Sequence, residues 1–169
     1  CDYYFQKALV VYENATLSPL AKRPALDDLK KAANYSSKNN AKINPIGADI
    51  CYLIADTEKE STELDTLRDA QDMFFQATMW VPEYKDSSAQ IELLNNIIAQ
   101  KYISLGDTEF NKNNYSAFRS ALEHYNNAEK YIADSATKKI ASTKNKLTVK
   151  VAYLYGNDSF TASDEIEIL

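Results

Sequence analysis

The chain has 169 residues and a formal net charge of −5, and with 3 Gly and 4 Pro it is short of turn-forming residues. That length suits one ordinary domain or a short repeat array, and the shortage of breakers excludes a turn-rich sandwich or barrel and a long disordered linker. The acidic balance argues against nucleic acid, because phosphate binding draws on a surplus of Lys and Arg.

Seven helices are predicted, making the chain all-α. The first spans 2–15 and opens on Tyr3, Tyr4 and Phe5, which dock it on the second; seating in a membrane interface is the alternative for these aromatics. The second (24–38) and third (46–60) take their starts from Pro24 and Pro45, since proline suits the first helical turn. Ser61 precedes the fourth (62–80), and Pro82 stops it. Asp86 caps the fifth (86–110), and the sixth (115–131) and seventh (135–155) follow. Helices joined by short turns are antiparallel neighbours, so three hairpins and a capping helix are expected to stack as a short α-solenoid over 1–156. Residues 157–169 are set apart as a C-terminal tail or partner-binding segment. Its last residues alternate acid and apolar, which fits a frayed tail, a short strand added to a partner's sheet, or the start of another domain.

The chain also repeats itself. Ala70, Phe74, Ala77 and Pro82 reappear 51 residues later as Ala121, Tyr125, Ala128 and Ala133, and Cys51, Ile54 and Ala55 as Tyr102, Leu105 and Gly106. Small-aromatic-small at i, i+4, i+7 puts three side chains on one helix face, where the small residues admit a neighbouring helix and the ring fills the gap. Residues 102–115 and 120–128 resemble the first and second helices of a tetratricopeptide repeat (TPR). Residues 51–82 carry the second-helix pattern well and the first poorly, and Ala25, Leu29 and Ala32 hint at a third unit. Three departures stand out: roughly three extra residues before Ala121, Ala133 where the family has Pro, and a period longer than the usual 34 or so.

The resemblance implies a concave groove lined by the first helix of each pair. Its residues would be Asp49, Tyr52, Leu53, Asp56 and Lys59 in one repeat and Gln100, Ile103, Ser104, Asp107, Phe110 and Asn111 in the next. Some TPR proteins clamp a peptide carboxylate with Lys, Arg and Asn at these places. Asp56 and Asp107 would repel one, so the groove is expected to suit a segment carrying apolar and basic residues.

Cys1 resembles the lipid-modified first residue of bacterial lipoproteins, which implies lipidation at Cys1, an anchor in the outer membrane and a place in the cell envelope. A fragment start and a Cys1–Cys51 disulfide stay open beside it. Asp65-Thr66-Leu67 and Asp134-Ser135-Ala136 resemble a short O-glycosylation motif of bacterial envelope proteins, and Asn14, Asn34, Asn114 and Asn157 head sequons for a eukaryotic secreted chain.

Catalytic motifs are missing. There is no HExxH, CxxC or phosphate-loop pattern, and His124 is the only histidine, read as structural or surface. Residues 49–72 hold eight carboxylates against Lys59 and Arg68, a local −6, read as a solvated turn rather than an acid–base or calcium site. Residues 129–150 hold six Lys against Glu129 and Asp134, a local +4. The expectation is therefore a non-enzymatic scaffold without metal or cofactor, serving protein partners in a membrane-associated envelope complex of secretion, outer-membrane assembly or gliding type. The alternative is a self-assembling filament or surface-array subunit whose acidic and basic regions mate.

Overall fold

Residues 2–35, 40–151 and 164–166 are described in the computed structural model. They form seven α-helices: α1 (Asp2–Glu13), α2 (Pro24–Tyr35), α3 (Asn40–Glu58), α4 (Leu64–Trp80), α5 (Ser87–Phe110), α6 (Tyr115–Tyr131) and α7 (Thr137–Leu147). A single 3-10 turn, Leu20–Lys22, leads into α2. The chain divides into two compact units, Cys1–Asn95 and Asn96–Leu169, with the division inside α5. The boundary expected at 156/157 lies outside the described residues. Cys1, Asn157 and nearly all of 157–169 lie outside the described residues.

Two expectations about boundaries are corrected. Pro45 does not start α3 but lies inside it, five residues after Asn40. So early in a helix it removes one hydrogen bond beyond the turn of N–H groups that have no intrahelical partner anyway. The seventh helix ends at Leu147 rather than 155, and Val149–Val151 instead forms a strand, β1, antiparallel to β2 (Asp164–Ile166) with Val149 opposite Ile166. The β-branched run Thr148-Val149 disfavours continuing the helix.

In the first unit α1, α2, α3 and α4 pack around Ala8, Leu26, Leu29, Ile43, Ile50, Ile54, Leu67 and Phe74, all buried. Asp28 is the charged residue in this interior, and Lys7 of α1 pairs with it at 2.9 Å. Tyr4 of α1 stacks on Tyr35 of α2, as the docking reading of the first aromatics expects, while Tyr3 stays exposed. Cys51 is a free thiol with no exposed surface, and burial pushes it up to about 12.

The 51-residue repeat is written into the helix ends. α4 and α6 have the same length and the same bounds after the shift, Leu64 to Tyr115 and Trp80 to Tyr131. Val81 and Ile132 close them in matching extended conformations (φ −139°, ψ 111° and φ −137°, ψ 114°), donating to the Ala77 and Ala128 carbonyls at 3.0 and 3.1 Å. Two residues on, Glu83 and Asp134 are both left-handed, φ 56° and 62°. Ala70, Phe74 and Ala77 are buried, as are Ala121, Tyr125 and Ala128. Leu105 breaks the equivalence: Ile54 is fully buried, Leu105 is 42% exposed.

Small residues set the helix spacing. A Cβ on Gly47 would fall 2.5 Å from Trp80 Cδ2, and one on Gly106 would run into the Tyr125 ring. Gly106→Ala would gain about 1 kcal/mol of helix propensity but force a buried ring to move, at about 1–3 kcal/mol. We expect a lower denaturant midpoint for Gly106→Ala and recovery in Gly106→Ala/Tyr125→Leu, measured as a double-mutant cycle. Thiol labelling followed by peptide mapping should leave Cys51 unmodified in the native chain and modified in denaturant; ready native labelling of Cys51 would contradict its burial.

Candidate functional site

Each unit builds a polar cluster around one aspartate of the expected groove. In the first unit this is Asp49 of α3. Its carboxylate accepts hydrogen bonds from Tyr12 Oη of α1 (3.0 Å), Tyr84 Oη (2.8 Å) and Lys85 Nζ (2.9 Å). Burial alone would raise this carboxyl; the ammonium and the two hydroxyls more than reverse that and hold it below the ordinary Asp value. Lys85 Nζ also lies 4.2 Å from the Tyr52 ring centre and 5.0 Å from that of Tyr84, so its charge sits against two π-faces and a carboxylate. Tyr52 meets Phe74 edge-on and donates to Asp86 at 2.7 Å, and that carboxylate pushes the phenol up to about 12. Asp86 also accepts from the Gln90 side chain, so it engages the start of α5, where the sequence places a cap.

In the second unit the aspartate is Asp107 of α5. It accepts from Tyr125 Oη of α6 at 2.7 Å and Lys139 Nζ of α7 at 2.5 Å. Burial would raise it, and the ammonium and hydroxyl again hold it below the usual value. Burial together with this carboxylate raises the Tyr125 phenol. Beside the pair lies a cavity of about 440 Å³, lined by Asp107, Phe110, Asn111, Tyr125, Lys138, Lys139 and Ser142. Phe110 packs on Phe118, ring centres 5.2 Å apart, which fixes one wall.

The expected groove residues thus sort into groups. Asp49 and Tyr52 join one cluster; Asp107, Phe110 and Asn111 line one cavity; Asp56 is exposed and paired with Lys59. Leu53, Gln100 and Ile103 lie outside both clusters. Asp107, expected to face a ligand as a carboxylate, is ion-paired with Lys139, which offsets part of its charge. Sequence reasoning did not single out Tyr12, Tyr84, Lys85, Lys138, Lys139 or Ser142 for a site. The lysine-rich stretch after Glu129 was the available signal for two of them.

Within the acidic stretch Glu58 and Asp69 come together around Arg23, while Asp65 stands apart. Asp65 is 94% exposed beside Arg68, while Arg23 grips Asp69 with both terminal nitrogens and lies 3.6 Å from Glu58. Burial, then the neighbouring Asp69, raises Glu58. Among the described residues no group of His, Cys, Asp and Glu is arranged to hold a metal ion, and no helix is long and apolar enough to cross a membrane. His124 stacks loosely near Tyr102, and its buried Nδ1 has no hydrogen-bond partner. No protein-family model, curated protein or solved structure matches the chain.

Asp49→Asn should lower stability at neutral pH by about 1–2 kcal/mol, since the partly exposed Lys85 is screened by water and the hydroxyl bonds share the loss. The carboxyl of Asp49 is depressed in the folded state, so its contribution is fully present above the unfolded value and is lost as pH falls below that and through the lower folded value. In urea melts over a pH series, the gap between parent and variant should close below about pH 4.

Proposed function

We propose that the chain is a non-enzymatic interaction scaffold of the bacterial cell envelope, TPR-like in its hairpins, lipid-anchored at Cys1 and held within a membrane-associated protein complex. The observation that carries this reading is the recurrence of one helix–turn unit with the same bounds, the same closing dihedrals and the same left-handed residue after 51 positions. Repeated helical units of this kind serve in general as display surfaces for partners. A pre-ordered surface loses little conformational freedom on binding, so contacts there convert more fully into affinity. Stacking of the hairpins as a short α-solenoid belongs to the same proposal. Secretion, outer-membrane assembly and gliding complexes are the settings the resemblance implies.

Head-to-tail self-assembly is the second reading, resting on the acidic and basic stretches. Asp49, Asp56, Asp65 and Asp69 already pair within the chain, which leaves less charge for a second copy. Light scattering across concentration and salt separates the two, because a head-to-tail contact grows with concentration and weakens with salt.

Affinity purification of the tagged protein from native membranes should recover a protein partner, and its intact mass should carry a lipid increment on Cys1. Recovery of the chain alone and without lipid would sink the scaffold reading.

A further inference from the structure

The cavity beside Phe110 carries an imbalance of charge. Two ammonium groups, Lys138 and Lys139, line it against one carboxylate, Asp107. Lys139 is committed: its Nζ sits 2.5 Å from Asp107 Oδ1, which Tyr125 also engages. Lys138 is exposed and has no ion pair or hydrogen bond among the described residues, and the side chains of Asn111 and Ser142 are likewise unpartnered. The nearby acids outside the cavity lining have hydrogen-bond partners other than Lys138. Glu109 pairs with Lys112, and Glu129 and Asp134 both accept from the Thr137 hydroxyl. The lining of the cavity therefore carries one more cation than anion, with an amide that both donates and accepts, a hydroxyl, and two aromatic walls in Phe110 and Tyr125.

We propose that this cavity receives the carboxylate side chain of an acidic residue in an extended partner segment, paired with Lys138, while an apolar neighbour of that residue covers the Phe110 ring. Asn111 then bonds the segment's main chain. The assignment deepens the scaffold reading and rests on it. It reverses the polarity expected from the sequence, because Lys139 offsets part of the Asp107 charge and Lys138 adds a second cation. A carboxylate here meets a charge-assisted hydrogen bond in a partly enclosed space, about twice as strong as a neutral one.

The test titrates the full chain with a short fluorescein-labelled peptide of alternating Glu and Leu, beside Gln/Leu and Lys/Leu counterparts, by fluorescence anisotropy. The Glu/Leu peptide should bind, weaken with salt and lose about tenfold in affinity against Lys138→Gln. Lys146→Gln removes the same charge from α7 away from the cavity and should leave binding close to unchanged. Both lysines are exposed, so thermal melts of the variants should match the parent. Equal binding of the Gln/Leu peptide, or equal loss in the two variants, overturns the assignment. Capture from native membranes separates this from the broader reading. A partner retained by Lys138→Gln defeats the cavity alone, whereas no partner for parent or variant defeats the scaffold.

Discussion

Antiparallel helices come close in this chain where a residue with little or no side chain faces an aromatic ring. Gly47 under Trp80 and Gly106 under Tyr125 leave no room for even a methyl group, and Ala70, Ala77, Ala121 and Ala128 flank the rings of Phe74 and Tyr125 on the same helix face. Close-packed interiors are intolerant of added volume, so this fit fixes how the helices of each hairpin lie against one another. The polar clusters depend on it: Tyr125 reaches Asp107 with its ring close against Gly106, and Tyr52 reaches Asp86 with its ring held against Phe74.

Charge follows packing. Asp49 and Asp107 each project from the first helix of a hairpin, and each is met by a tyrosine hydroxyl and by a lysine from beyond the second helix. Lys85 and Lys139 tie the segment after α4 and the first turn of α7 back to the hairpin. The left-handed residues Glu83, Lys85 and Asp134 hold the chain in the sharp turn this return demands, without the help of glycine. Conformations of that kind persist where surrounding contacts over-determine them, and the lysine–aspartate ties are such contacts.

The helices were largely legible in the sequence because the buried positions recur at helical spacing and at a constant offset. That logic places α4 and α6 to within two residues at each end. It failed at Pro45, where a start signal is tolerated inside the helix, and after Leu147, where β-branched residues outweigh the wish to extend a periodic pattern. The site was legible only in part. Asp107, Phe110 and Asn111 follow from the repeat resemblance, which assigns them to one helix and the residue after it. Lys138, Lys139 and Ser142 reach the same cavity from another helix, and Lys85 reaches Asp49 from a turn, both of which depend on three-dimensional approach. Leu53, Gln100 and Ile103 belong to the same expected groove face but lie outside both clusters.

The two glycine–aromatic contacts sit at different heights in their hairpins. Gly106 lies close to the α5–α6 turn, whereas Gly47 and Trp80 meet at the open end, far from the α3–α4 turn. A rigid contact of this kind acts as a fulcrum: thermal splaying is smallest beside it and grows with distance. The first hairpin is therefore pinned at both its turn and its open end. The second is pinned twice near its turn, and its far end around Lys130 and Tyr131 is held by the thinner Tyr102–Tyr131 stack. Backbone amides there should exchange with solvent ahead of their counterparts at the end of α4, so two hairpins whose second helices match in length and bounds differ in how they breathe.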